Sequence, residues 1–191
     1  MVDLASPLSI TPGSYNLRGS APGVVLSESR PGAIVQVGAF AGFETAVLAS
    51  IAKATGVKLA NVPGAGAATN KLNIFAIAPA RWLVADAGEG MAGRLAKAVS
   101  KDEGAVTRLT HGRTVLRVEG EKAVWVLSKL FAVDFAALPL HAGLSTSHHD
   151  VFAQIQRSGE QAFDLYVFRS FARSFWHALC AAAEETGYEV R

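Results

Sequence analysis

Apolar positions along this chain change period repeatedly, from every second residue to every third or fourth and back again. The stretch "VVLSESRPGAIVQVGAF" (24–40) alternates and predicts two short strands around an Arg30-Pro31-Gly32 turn. From Phe43 to Thr55 the apolar Ala46, Val47, Leu48 and Ile51 fall at helical spacing, and Gly56 supplies the stop. "NVPGAGAATN" (61–70) reads as a loop, and "NIFAIAPARWLVAD" (73–86) as a hairpin turning at Pro79-Ala80. Glu89 to Ser100 is helical, with Met91, Leu95, Ala98 and Val99 on one face. "AVTRLTHGRTVLRVEG" (105–120) predicts a second hairpin around His111-Gly112, followed by a helix from Glu121 to Leu130 carrying Val124, Trp125, Leu127 and Leu130. "HHDVFAQIQRSGEQAFDLYVF" (148–168) predicts a third hairpin with Ser158-Gly159 at its tip. The last helix begins near Ser170 and turns Phe171, Phe175, Ala178, Leu179 and Ala182 to the core.

Antiparallel hairpins separated by helices indicate an α+β fold, not a parallel doubly wound sheet. The pattern is also duplicated. "FETAVLASIAKATGVKLANVPGAG" (43–66) and "EKAVWVLSKLFAVDFAALPLHAG" (121–143) share a helix, an extended step, a proline and a glycine. A hairpin and a helix follow each. Residues 1–23, rich in proline and glycine and without periodicity, read as an extended arm. Residues 24–191 then form one α+β domain of two similar halves, about 24–103 and 104–191.

Composition narrows the function classes. With 191 residues the chain is long enough to stabilise itself by its own core. It has one cysteine, Cys180, which excludes an internal disulfide and suits a reducing, cytoplasmic setting. "MVDLASPLSITPG" lacks a basic stretch followed by an apolar core, and no apolar run has the length of a membrane span. Net charge is +2 with scattered basic residues, which argues against nucleic acid as a partner. Charged residues make up only 18% of the chain, against roughly 25% in an average domain. Such a surface suits contact with other chains.

Familiar chemical motifs fail on context. "PGAGAATNK" (63–71) has no third glycine and no Ser or Thr after its lysine, and it runs into a strand instead of opening a helix. "HHD" (148–150) offers His148 and Asp150 on one strand face with His149 on the other, too few ligands for a structural zinc site. Cys180 has no electropositive setting and reads as a packed thiol. There is no G-x-S-x-G and no close pair of carboxylates.

"FRSFARSFW" (168–176) is different. Ser170 is placed to cap the last helix, while Arg169 and Arg173 bring two cations to a helix N-terminus that disfavours them. Two readings stand: solvated side chains, or arginines facing a carboxylate or phosphate of this chain or another. Asp164, five positions before Arg169 on an extended strand, would point to the opposite face.

"ARWLVAD" (80–86), "THGRTVLRVEG" (110–120), "VDFAALPL" (133–140) and "FDLYVFRSFARSFWHAL" (163–179) resemble the gamma subunit family of heterotetrameric sarcosine oxidases. That family is similar in turn to the folate-binding domain of glycine-cleavage aminomethyltransferases, an α+β domain with internal duplication. The resemblance implies a non-catalytic structural subunit of a complex that oxidatively demethylates sarcosine to glycine. It implies FAD, FMN, NAD and tetrahydrofolate in the alpha and beta subunits, zinc in the delta subunit, and no cofactor in this chain. Arg169, Ser170, Arg173, His111 and Arg113, from the most specific runs, are then candidate contacts to those subunits. The alternative is a stand-alone folate-binding or one-carbon-transfer protein, for which Asp150 is the candidate carboxylate by position.

Overall fold

The computed structural model describes residues 5–8, 10–15 and 21–191. In chain order its elements are β1 (Gly13–Tyr15), β2 (Val24–Ser29), β3 (Ala33–Ala39), α1 (Glu44–Thr55), β4 (Gly66–Ala68), β5 (Leu72–Ala78), β6 (Arg81–Asp86), α2 (Met91–Ala98) and β7 (Gly104–Arg108). There follow β8 (Arg113–Glu119), α3 (Ala123–Leu130), β9 (Gly143–His148), β10 (Val151–Gly159), β11 (Ala162–Phe168), α4 (Ala172–Ala183) and β12 (Tyr188–Val190). The expected α+β alternation is present. The arm expected over 1–23 lies partly outside the described residues, and its described part supplies β1.

The strands form a five-stranded sheet in the order β4-β5-β6-β3-β7 and a seven-stranded sheet in the order β1-β12-β2-β8-β11-β10-β9. Five positions of the second sheet repeat the first, with β9, β10, β11, β8 and β2 standing where β4, β5, β6, β3 and β7 stand. The duplication read from the sequence is therefore visible in the topology, with one exchange: β2, the first strand of the first repeat, pairs antiparallel with β8, and β7, the first strand of the second, pairs antiparallel with β3.

This corrects two expected pairings. The strands flanking Arg30-Pro31-Gly32 are not partners, and neither are those flanking His111-Gly112. The alternation of "AVTRL" marks a strand without naming its partner, and the decisive contact is distant in sequence. Thr110, 4% exposed, receives the Ile34 N–H on its hydroxyl at 3.0 Å, and the Leu109 N–H donates to the Ile34 carbonyl at 2.7 Å. These bonds extend the β3–β7 ladder past the end of β7 and carry the chain away from β8. Accordingly the chain forms two compact units whose borders fall in those same turns. One holds Arg30–Thr110 with His141–Ser145; the other holds the residues up to Ser29, His111–Leu140 and Thr146–Arg191.

In the five-stranded unit α1 and α2 cover one sheet face. Val47, Leu48 and Ile51 of α1 and Met91 and Leu95 of α2 meet Val35, Val37, Ile74, Trp82 and Val84. Gly56 ends α1 in the left-handed region at φ 77°, its N–H bonded to the Ala52 carbonyl. In the seven-stranded unit the core is aromatic: Phe131 lies 5.9 Å from Phe175 and 6.1 Å from Phe135, which in turn meets Phe163 edge-on at 5.6 Å. Helix α3 buries Ala123, Val126 and Leu127, not the expected face through Trp125. Trp125 is 40% exposed, with the Lys129 ammonium 3.5 Å above its ring. A cation over an indole accommodates a surface tryptophan that periodicity alone would send inward.

Smaller differences sit at turns. The β10–β11 hairpin turns beyond Ser158-Gly159, at Glu160-Gln161, after a register shift between Arg157 and Gly159. "HHD" is not a strand entry: β9 ends at His148, and His149 turns the chain at φ 48°. That turn breaks the strand alternation and brings the His148 and His149 rings to 4.4 Å of each other. Among the described residues no helix is long and apolar enough to cross a membrane.

Candidate subunit interface

At one end of the seven-stranded sheet, β8, β11 and β10 lie side by side. Phe168 is the register partner of Arg113, and continuing the Ala153–Val167 pairing outward brings Phe152 beside Phe168, ring centroids 6.3 Å apart. Arg113, Phe168 and Phe152 thus form a row across three strands on one face. The Arg113 guanidinium carbon sits 3.8 Å over the Phe168 ring. Its Nε is buried without a hydrogen-bond partner among the described residues, and burial lowers its pKa from the ordinary arginine value. Phe152, Phe168 and Phe171 are 38%, 38% and 41% exposed.

The other candidate residues cluster around this row by chain position. His111 is exposed in the link before β8. Arg169 follows Phe168 directly; its N–H donates to the Gly112 carbonyl at 3.0 Å, and its Nη2 donates to the Ala5 carbonyl. Backbone carbonyls, not a carboxylate, thus occupy Arg169. Arg173 is exposed in the first turn of α4 and makes no hydrogen bond or ion pair to a described residue. Ser170 does not cap α4. Arg169–Phe171 wind a 3-10 turn first, so α4 starts at Ala172 with Phe171 in the cap position and no side-chain cap bond. The same turn puts Phe171 on the surface instead of in the core. Asp150, the candidate folate carboxylate, is exposed in the β9–β10 turn.

The exposed phenylalanines were not singled out by sequence reasoning, although one signal existed. Val151, Ala153 and Ile155 share one face of β10, so Phe152 falls on the face of Gln154 and Gln156. A ring on an otherwise polar face marks a position that packing within the strand pair does not require.

Asp164 is engaged elsewhere. Its side chain, 3% exposed, meets Arg117 at 3.2 Å, and Arg117 also holds Glu119 at 2.8 Å. Burial works to lower the Arg117 pKa, but the bond to Glu119 and the charges of Asp164 and Glu119 outweigh it and raise the value. This ion group fastens β8 to β11 and leaves no carboxylate there for Arg169.

At the far edge of the same sheet, Tyr15 of β1 stacks on Tyr188 of β12 with centroids 4.9 Å apart. Burial, with smaller contributions from Cys180, Glu184 and Tyr15, pushes the Tyr188 phenol up to about 12. Burial likewise raises the Cys180 thiol, in keeping with a packed and unreactive cysteine. The folded state thus favours the neutral phenol, and that stability is present below the ordinary tyrosine value of about 10 and lost as pH rises through about 12. The unfolding free energy should fall across this window, and Tyr188→Phe should flatten the fall. Equal slopes for the two chains in urea titrations at pH 9 to about 12 would contradict the assignment.

The five-stranded unit contains a cleft of about 500 Å³, lined by Glu44, Val62, Pro63, Pro79, Trp82 and Leu144 among others. Its walls are mostly apolar, with the Glu44 carboxylate and the Asn61 amide as its charged and polar side chains.

The family model described as "Sarcosine oxidase, gamma subunit family" matches residues 39–185. The chain belongs to that family. All five candidate contacts and the three exposed phenylalanines lie inside the matched range, whereas β1 and β2 precede it. No curated protein matches the chain by sequence. Among solved structures it is similar to a chain of the heterotetrameric sarcosine oxidase from Corynebacterium sp. U-96, solved with pyrrole 2-carboxylate. The two are 27% identical, with a TM-score of 0.74 and 85% of each chain covered. It is also similar in fold to the glycine cleavage system aminomethyltransferase T from Bartonella henselae, at 22% identity and a TM-score of 0.61. There 88% of this chain matches 48% of that one, so the gamma-subunit family shares its α+β fold with about half of a larger enzyme.

Proposed function

We propose that this chain is the structural, non-catalytic gamma subunit of a cytoplasmic heterotetrameric sarcosine oxidase that demethylates sarcosine oxidatively to glycine. The observation that carries the reading is coverage: one chain of such an enzyme matches this one over 85% of both lengths, so the likeness spans a whole subunit and not a shared module. The alpha, beta and delta subunits are its partners. FAD, FMN, NAD and tetrahydrofolate belong to the larger two and zinc to the delta chain. Arg169, Ser170, Arg173, His111 and Arg113 lie at the contact with them.

A second reading, binding of folate by this chain alone through Asp150, draws support from the fold it shares with aminomethyltransferase T. Calorimetry separates the two. The isolated chain should give no saturable heat with tetrahydrofolate, flavins or NAD. Micromolar binding of tetrahydrofolate that disappears in Asp150→Ala would favour the second reading and count against the first.

A further inference from the structure

Arg113 is the anomaly of the described surface. A guanidinium carries five N–H donors, and one that leaves water without an anion or acceptor forfeits hydration for nothing. Here Nε is buried and unpartnered, and the Arg113 guanidinium makes no hydrogen bond or ion pair with a described residue. Stacking on Phe168 at 3.8 Å occupies one face of the plane, and Nη1 and Nη2, unlike Nε, are not buried, which leaves the outer edge they form available. That edge matches a carboxylate, which can take two parallel N–H bonds. Phe168 and Phe152 stand in the row of Arg113 and Phe171 follows in the turn after Phe168, three rings that a soluble surface does not need exposed. Along the chain the row is flanked by two cations, Arg169 and Arg173, against one exposed carboxylate, Asp150, so the flanking charge is net positive. Asp150, two residues before Phe152, forms no ion pair with Arg113, Arg169 or Arg173.

We propose that the Arg113–Phe168–Phe152 row, with Phe171 in the turn that follows, seats an acidic, apolar segment of a partner subunit. A carboxylate of that segment takes the edge of Arg113, and its apolar side chains cover the rings. The positive flank selects against a basic segment and fixes the sign of the partner. The proposal rests on the subunit reading above and adds to it the place and the chemistry of one contact.

The test uses the complete co-expressed complex and the isolated chain side by side. Arg113→Leu removes an unpaired half-buried cation while keeping an apolar cover for Phe168. The isolated chain should therefore melt at or above the wild-type temperature, while its retention in the complex weakens by at least about tenfold. Phe171→Ser, a surface change, should weaken retention without lowering the melting temperature, and Arg81→Leu, exposed in the other unit, should do neither. Wild-type retention should also fall as salt rises toward about 1 M, less steeply for Arg113→Leu. Arg113→Leu and Phe171→Ser chains retained as tightly as wild type would overturn the proposal and leave the subunit reading standing. So would an Arg113→Leu chain that melts well below wild type, since the arginine would then be an internal brace. A wild-type chain that never joins a complex would overturn both. Saturable binding of inorganic phosphate to the isolated chain, lost in Arg113→Leu, would make this a small-anion site and overturn the partner assignment.

Discussion

A chain carrying Gly66→Ala should lose at least about 3 kcal/mol of stability and accumulate as insoluble protein. A Cβ at this position would fall onto the carbonyl oxygen of His141 and lie 3.0 Å from that carbonyl carbon and 3.1 Å from the Ile74 oxygen. All three are backbone atoms, so no rotamer change relieves the overlap. The equivalent glycine of the second repeat, Gly143, is held as closely. Its Cβ would stand 2.6 Å from Cγ of Phe75, a fully buried ring, and its N–H already donates to the Gly64 carbonyl at 3.0 Å. Gly64–Gly66 and His141–Gly143, matched as sequence, thus lie against each other inside the five-stranded unit. Gly93→Ala is the control. It lies inside α2 with nothing within 4 Å, and should raise stability by about 0.5–1 kcal/mol. Urea midpoints report both. A Gly66→Ala chain within a few degrees of wild type on melting would mean that these two segments do not meet as described.

The second large effect is expected at Arg117. Asp164 is 3% exposed, so Arg117→Ala would take the Arg117 cation from a buried carboxylate, a loss on the order of 3 kcal/mol. Removing Glu119 is a different matter. That carboxylate is 40% exposed, and Glu119→Ala should cost no more than about 1 kcal/mol. The asymmetry is the test. Arg117→Ala combined with Asp164→Asn should recover part of the loss, because the stranded charge is gone, and a double-mutant cycle would show a coupling above about 1 kcal/mol. Additive single changes, or a larger loss at Glu119 than at Arg117, would show that the Asp164 contact carries little of the β8–β11 pairing.

Much of this was legible in the chain. The α1 helix and its Gly56 stop, the Pro79-Ala80 hairpin and the doubled order of elements follow from periods and turn residues acting over a few positions. What the chain hides is pairing. A strand of five residues alternates in the same way whichever neighbour it takes, and the exchange of β2 and β7 is decided by bonds such as Thr110 to Ile34, 76 positions apart. The three-residue strands β4 and β12 carry too few alternations to register as strands, and β9, with Leu144 as its only large apolar residue, shows no apolar alternation. Helix starts were misread for a related reason. Ser170 has the chemistry of a cap, but the 3-10 turn from Arg169 to Phe171 moves the helix start two residues on. At the candidate interface the arginines stood out by charge, whereas the phenylalanines did not, since aromatic residues in strands and helices are assigned to the core by default. Phe171 shows the limit of that default.

The central claim is that this chain works as one subunit of a larger oxidase and contributes contacts instead of chemistry. Native mass spectrometry of the product of co-expression with the neighbouring reading frames tests it most directly. The account predicts a single assembly containing one copy of this chain with three other polypeptides and bound flavin, and an isolated chain without turnover of sarcosine. A chain that stays outside the flavin-bearing assembly, or that alone converts an N-methyl amine, would contradict it.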